Sequence, residues 1–224
     1  GTRRATDYGR MLTERLVREL AEVYPDLVVV SGLAYGIDVC SHRSALKNGL
    51  PTVGVLAHGL DRIYPAEHRN TAAEMLEQGG LLTDFPSETN PDRENFLKRN
   101  RLIAGLADAT IVVESAERGG ALVTADIACS YGRDVYTFPG RTTDECSAGC
   151  NRMVQTNKAG LITSGQDLIR ALCWDTEATG PSVEGQLRLK LERPDHPIVK
   201  ILADEGEMQI NELAMAIDLP VYQV

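Results

Sequence analysis

Five short runs along this chain have apolar centres: LVVVSG (27–32), TVGVLA (52–57), GLLTDF (80–85), TIVVES (110–115) and DVYTF (134–138). A strand wetted on one face alternates apolar and polar residues, whereas a strand covered on both faces does not. Helical stretches separate the runs. From Ala5 to Tyr24 one face carries Leu12, Leu16 and Leu20 and an adjoining one Val17, Ala21 and Tyr24, at i, i+4 spacing. IDVCSHRSALKNG has helical spacing and closes on Gly49, and further helices are predicted over 67–78, 96–107 and 121–131. Fully apolar strands alternating with helices define an α/β fold with a doubly wound, mostly parallel sheet.

Such a sheet places ligands beyond the carboxyl ends of its strands, where helix amino termini point their N–H groups outward. The turns at that edge are unusual in composition: Gly1-Thr2-Arg3, SGLAYGID, HGLDRIYP, SAERGGALVTA and PGRTTDECSAGCN. Glycine and small hydroxyl residues let a phosphate approach the backbone closely.

Charge sharpens the expectation. The chain has a net charge of -9, but residues 1–174 hold 19 basic against 22 acidic side chains (19 - 22 = -3) and residues 175–224 hold 4 against 10 (4 - 10 = -6). The main domain nevertheless concentrates cations in NFLKRNR (95–101), where helical spacing predicts Lys98, Arg99 and Arg101 projecting as a cluster and Leu97, Leu102 and Leu106 turned inward. Asn95 and Asn100 suit phosphate or base edges, and Phe96 is placed either to stack a base or to pack in the core. With Arg3 and Arg118 from neighbouring turns, the cluster forms a cationic rim suited to a polyanion.

Other classes are disfavoured. No run of about 18 apolar residues occurs, and GTRRATDYGR lacks the apolar segment of a signal peptide. A cytoplasmic protein without membrane partners is expected. Five scattered cysteines suggest reduced thiols, and the Cys146–Cys150 pair has no neighbouring ligands to complete a metal site. No metal or cofactor is expected.

Three regions are predicted: a domain over 1–174, a linker over 175–187 that includes TEATGPSVEG, and a small unit over 188–224. The last has a helix at 197–204, a turn at Gly206 and a second helix opening near Gln209 to Asn211, with Ile210, Leu213 and Ile217 on one face. That pattern fits the first two helices of a helix-turn-helix unit. Its acidity disfavours a duplex-binding role and favours contact with protein.

Taken in order, GTR, SGLAYGIDVCSH, GLDRIYPAEH, GGLLTDFP, NFLKRNRLIAGL, VVESAERGGALVTA and VYTFPGRTTDECSAGCNRMV resemble the DprA family, also called Smf, the DNA-processing proteins of bacterial natural transformation. The resemblance covers roughly residues 1–170. It implies an extended Rossmann-like domain that binds single-stranded DNA, forms homodimers, helps load RecA and is not an enzyme. It places Arg3, Ser31, Gly32, Asn95, Phe96, Lys98, Arg99, Asn100, Arg101, Arg118, Gly119, Gly120, Ser147, Gly149 and Asn151 around the DNA pocket. It also implies a strand ahead of Gly1, and it likens the tail to a partial winged helix.

Three other readings compete. RGGALVTAD resembles the glycine turn of lysine-decarboxylase-like nucleotide hydrolases, with Asp126 as the acid, but Leu122-Val123 replaces the second glycine-threonine pair and the acid is one carbon shorter. Asp38 and His42 stand at i, i+4 as a carboxylate–base pair or, more simply, a helix pair. A protein-only scaffold leaves the cationic rim without a purpose.

Overall fold

The computed structural model describes residues 1–174, 197–205, 208–217 and 219–220. Two compact units emerge, Gly1–Asp175 and Thr176–Val224. In the first, the order is α1 (Asp7–Val23), β1 (Val29–Ser31), α2 (Ile37–Lys47), β2 (Thr52–Val55), a 3-10 turn (Ala66–His68), α3 (Arg69–Gln78), β3 (Gly79–Leu82), α4 (Arg93–Leu106), β4 (Ala109–Val112), α5 (Gly120–Ser130), β5 (Asp134–Thr137), α6 (Glu145–Gln155), β6 (Gly160–Leu161) and α7 (Gly165–Ala171). All four strand pairings are parallel.

The strands form two three-stranded sheets, β1-β2-β3 and β4-β5-β6, rather than one uninterrupted sheet. Helix α1 ties them together with two of its faces. Leu12, Leu16 and Leu20 join Val113, Tyr136 and Ile162 in one apolar cluster, while Val17 packs with Ala45 and Leu50 in another. Each fully buried leucine contributes about 2 kcal/mol of apolar transfer. The amphipathic pattern of 5–24 is therefore a bridge between sheets and not a one-sided cover.

Helix ends follow the sequence closely. Thr6 caps α1 by accepting the Gly9 N–H (3.1 Å). Helix α2 closes in a Schellman motif: Leu50 N–H bonds Ala45 O (2.9 Å), Gly49 N–H bonds Leu46 O (3.2 Å), and Gly49 takes the φ of +73° that other residues avoid. Leu50 then packs against Ala45, the apolar contact that accompanies this cap.

In the second unit, α8 (Pro197–Glu205) and α9 (Ile210–Ala216) match the two expected helices, with Leu213 and Ala214 buried and Ile210 exposed. The linker and the turn at Gly206 lie outside the described residues. Among the described residues no helix is long and apolar enough to cross a membrane.

Candidate nucleic-acid interface

Residues 1–9 run through the centre of the loop edge and hold its parts together. Ile37 N–H bonds Thr2 O (3.2 Å), joining this segment to the loop after β1. Buried Glu114, just past β4, accepts from Thr6 N–H (3.0 Å) and from the Thr6 hydroxyl. Tyr8 donates its hydroxyl to Pro139 O beyond β5 (2.8 Å). An internal carboxylate thus already occupies the amino end of α1, so the Gly1-Thr2-Arg3 turn offers its arginine and not a helix terminus to a ligand.

The loops after β4 and β5 are held by α6. Cys146 O accepts Ser115 N–H (2.8 Å), and Gly149 N–H donates to Ser115 O (2.9 Å). Asn151 bonds both polar groups of Gly140, accepting its N–H (3.2 Å) and donating to its carbonyl (3.0 Å). Ser147 is buried beside Gly140. These contacts brace the rim. Gly119 and Gly120 stand at the start of α5, where no side chain caps the helix and Gly120 faces open space.

The NFLKRNR helix is rotated from the sequence expectation. Arg99 is only 3% exposed and Asn100 is buried, whereas Leu97 (44%) and Leu106 (53%) face solvent. Arg99 Nη1 donates to Gly32 O (2.9 Å) and to Val55 O, linking the ends of β1 and β2. A side chain on residue 32 would sit about 2.5 Å from this guanidinium, which is why glycine stands there. Gly32 is therefore covered and does not present a phosphate-binding amide. Asn95 donates to Asn90 O (2.9 Å), and Arg101 is paired with Asp84.

A second buried group sets the loop after β1. Thr52 Oγ1 donates to Val29 O (2.8 Å), so its remaining interaction with His42 Nδ1 (2.7 Å) requires a proton on that nitrogen. His42 Nε2 then accepts Leu33 N–H (3.3 Å), and His68 Nδ1 donates to Leu33 O (2.8 Å). Both polar groups of a residue at φ 54° are thereby satisfied. Burial pushes the His42 pKa down to about 4, against the pull of Asp38 and with a further push from Arg99. The ring nitrogens of His42 thus go to Thr52 and Leu33 and not to Asp38, and no lone pair on the ring is free for base chemistry.

Because the folded pKa lies below the 6.5 of the free side chain, the unfolded chain binds more protons between those values. The His42 contribution is complete above pH 6.5 and is lost as pH falls toward 4, about 3 kcal/mol across the window. Urea midpoints at pH 7.5 and 4.5 are expected to separate more in the wild type than in His42→Gln. Equal separation would contradict the assignment.

Cations at this edge divide by what they already hold. Arg62, Arg101 and Arg152 are paired with Asp61, Asp84 and Glu117. Arg3, Lys98, Arg118 and Arg141 are exposed and have no ion pair among the described residues. Arg3 instead lies over the Phe96 ring, 5.0 Å from its centroid, with Arg99 at 5.8 Å and the Tyr64 ring at 6.1 Å. Phe96 is half-buried and serves as a seat for Arg3. Sequence reasoning passed over Tyr64 and Arg141, although both lie in turns it singled out.

The acid of the hydrolase alternative is exposed and tied to Lys158 (2.7 Å). Burial pushes the thiols of Cys40, Cys146 and Cys150 up, so they stay protonated at neutral pH. No group of residues suited to holding a metal ion occurs among the described residues.

The model of the family described as DNA recombination-mediator protein A matches residues 1–173. The chain belongs to this family. A DNA processing protein DprA of Mycobacterium tuberculosis (strain H37Rv), described as putative, is 38% identical over 225 residues, covering 100% of this chain and 57% of its own length. The chain therefore spans little more than half of that relative. Among solved structures, the DprA of Streptococcus pneumoniae superposes with a TM-score of 0.69 at 37% identity, covering 76% of this chain and 59% of that one. DNA processing protein A of Helicobacter pylori, whose structure concerns its single-stranded DNA binding mode, gives 0.70 at 31% identity, covering 78% of each chain. These DprA matches agree with the α/β fold expected from the strand pattern and with the Rossmann-like domain that the resemblance implies.

Proposed function

We propose that this chain binds single-stranded DNA along the loop edge of its two sheets, as a recombination mediator and not as a catalyst. The observation that carries this is the set of exposed cations Arg3, Lys98, Arg118 and Arg141, which have no ion pair among the described residues, on an edge where Arg62, Arg101 and Arg152 are already paired. In this reading the phosphates lie on those side chains and on the backbone at the start of α5, where no side chain caps the helix and Gly120 is exposed. Ser31, Gly32, Arg99, Asn100, Ser147, Gly149 and Asn151 hold the groove's shape from beneath, and Asn95 and Arg101 border it. Phosphate contacts carry no sequence information, so binding is sequence-tolerant. The family membership and the Helicobacter pylori structure support single strands as the substrate. Homodimer formation, delivery of the strand to RecA and a cytoplasmic location follow from the DprA resemblance and complete the proposal.

Fluorescence anisotropy with a labelled oligonucleotide, single-stranded against duplex, tests it. Single strands are expected to bind more tightly, with log affinity falling by about 0.7 per phosphate contact for each log unit of salt. Equal binding of both forms, or none at low salt, would overturn the proposal.

A further inference from the structure

Phosphate contacts alone do not distinguish a single strand from a duplex, and Phe96 is poorly placed to do so because guanidinium groups lie 5.0 and 5.8 Å from its ring. Two other rings at this edge are more open. Tyr64 is 44% exposed and Tyr35 is 41% exposed. Each is supported by a second ring: Tyr64 leans on Phe96 at 6.1 Å with an interplanar angle of 53°, and Tyr35 meets His68 at 5.1 Å and 69°. The Tyr35 hydroxyl donates to Glu67 (2.9 Å), and His68 is itself bonded to Leu33 O, so the ring's seat is fixed to the loop after β1.

We propose that Tyr64 and Tyr35 form a base-stacking subsite, rim positions that take unpaired nucleobases while Arg3 and Lys98 hold the adjoining phosphates. This rests on the single-strand reading above and adds to it the groups that read the bases. Tilted or edge-on support leaves a ring face open to a ligand, and little conformational entropy is lost when a pre-seated ring accepts a base. A nucleobase fits better than an apolar protein side chain because the neighbouring cations have no ion pair among the described residues and attract a polyanion. Bases of a duplex are already stacked on one another, so the same two rings discriminate against it.

The test compares a thymidine oligonucleotide with an abasic strand of equal length and charge. Wild-type protein is expected to bind the base-containing strand about 5- to 150-fold more tightly for each base stacked. Tyr64→Ala and Tyr35→Ala are each expected to lose most of one such factor on thymidine strands and nothing on abasic strands, and Tyr64→Phe to keep wild-type affinity. Equal wild-type affinity for the two strands overturns the subsite while leaving single-strand binding intact, and this comparison needs no variant to fold. Alanine variants that weaken both strands equally, or neither, also overturn it. Binding of neither strand by wild type removes the single-strand reading and the subsite together.

Discussion

Replacing Arg99 with alanine is expected to lower the unfolding free energy by about 3–5 kcal/mol, a large part of what holds a domain of this size folded. The substitution strips the donor from two carbonyls, Gly32 O and Val55 O, at the ends of neighbouring strands. Each buried acceptor left without a partner costs about 1–3 kcal/mol. It also removes the guanidinium that helps hold Asp38 ionised. Burial pushes the Asp38 carboxyl up, and the Arg99 guanidinium pulls it back down. Lys98→Ala, one residue away but exposed, is expected to change stability by no more than about 0.5 kcal/mol. Urea unfolding of the two variants checks the contrast; equal destabilisation would mean that Arg99 is not a clamp.

That contrast marks where sequence reasoning reached its limit. The composition of NFLKRNR identified a cationic helix at the right edge, but helical periodicity did not fix which face turned inward. With Leu97 and Leu106 available, the natural choice buries leucine, and the structure buries Arg99 instead because two strand ends offer it carbonyls. A tertiary hydrogen-bond demand of that kind has no local signature. Glu114 is similar: its role depends on Thr6, 108 residues away in sequence.

The parallel strands, by contrast, were legible because burial on both faces removes the alternation of a half-wet strand. The cap at Gly49 was legible because a positive φ and a following apolar residue are local facts. The region after β5 was not. Helix α6 begins ECSAGC, rich in residues of low helix propensity, and β6 has only two residues, too few to show a period. Nor did strand composition reveal the division into two sheets, since strand pairing is a property of neighbours. Tyr64 and Arg141 were within reach, in turns whose glycines drew the attention.

The second large effect concerns binding. Arg3, Lys98, Arg118 and Arg141 are exposed and have no ion pair among the described residues, so replacing all four with alanine is expected to preserve the fold. Each phosphate contact on a single strand contributes about 0.7 to the slope of log affinity against log salt. Four contacts amount to a slope of about 2.8, or about 600-fold in affinity at 0.1 M salt, fading toward 1 M. Arg152→Ala, whose cation is already paired with Glu117, provides the control and is expected to change little.

A salt titration of single-stranded oligonucleotide binding by the wild type and this fourfold variant is therefore the decisive measurement. The expected result is a variant slope shallower by about 2.8, with the two lines meeting near 1 M salt. Parallel lines, or a variant that binds as tightly as wild type at 0.1 M, would contradict a strand path along this edge.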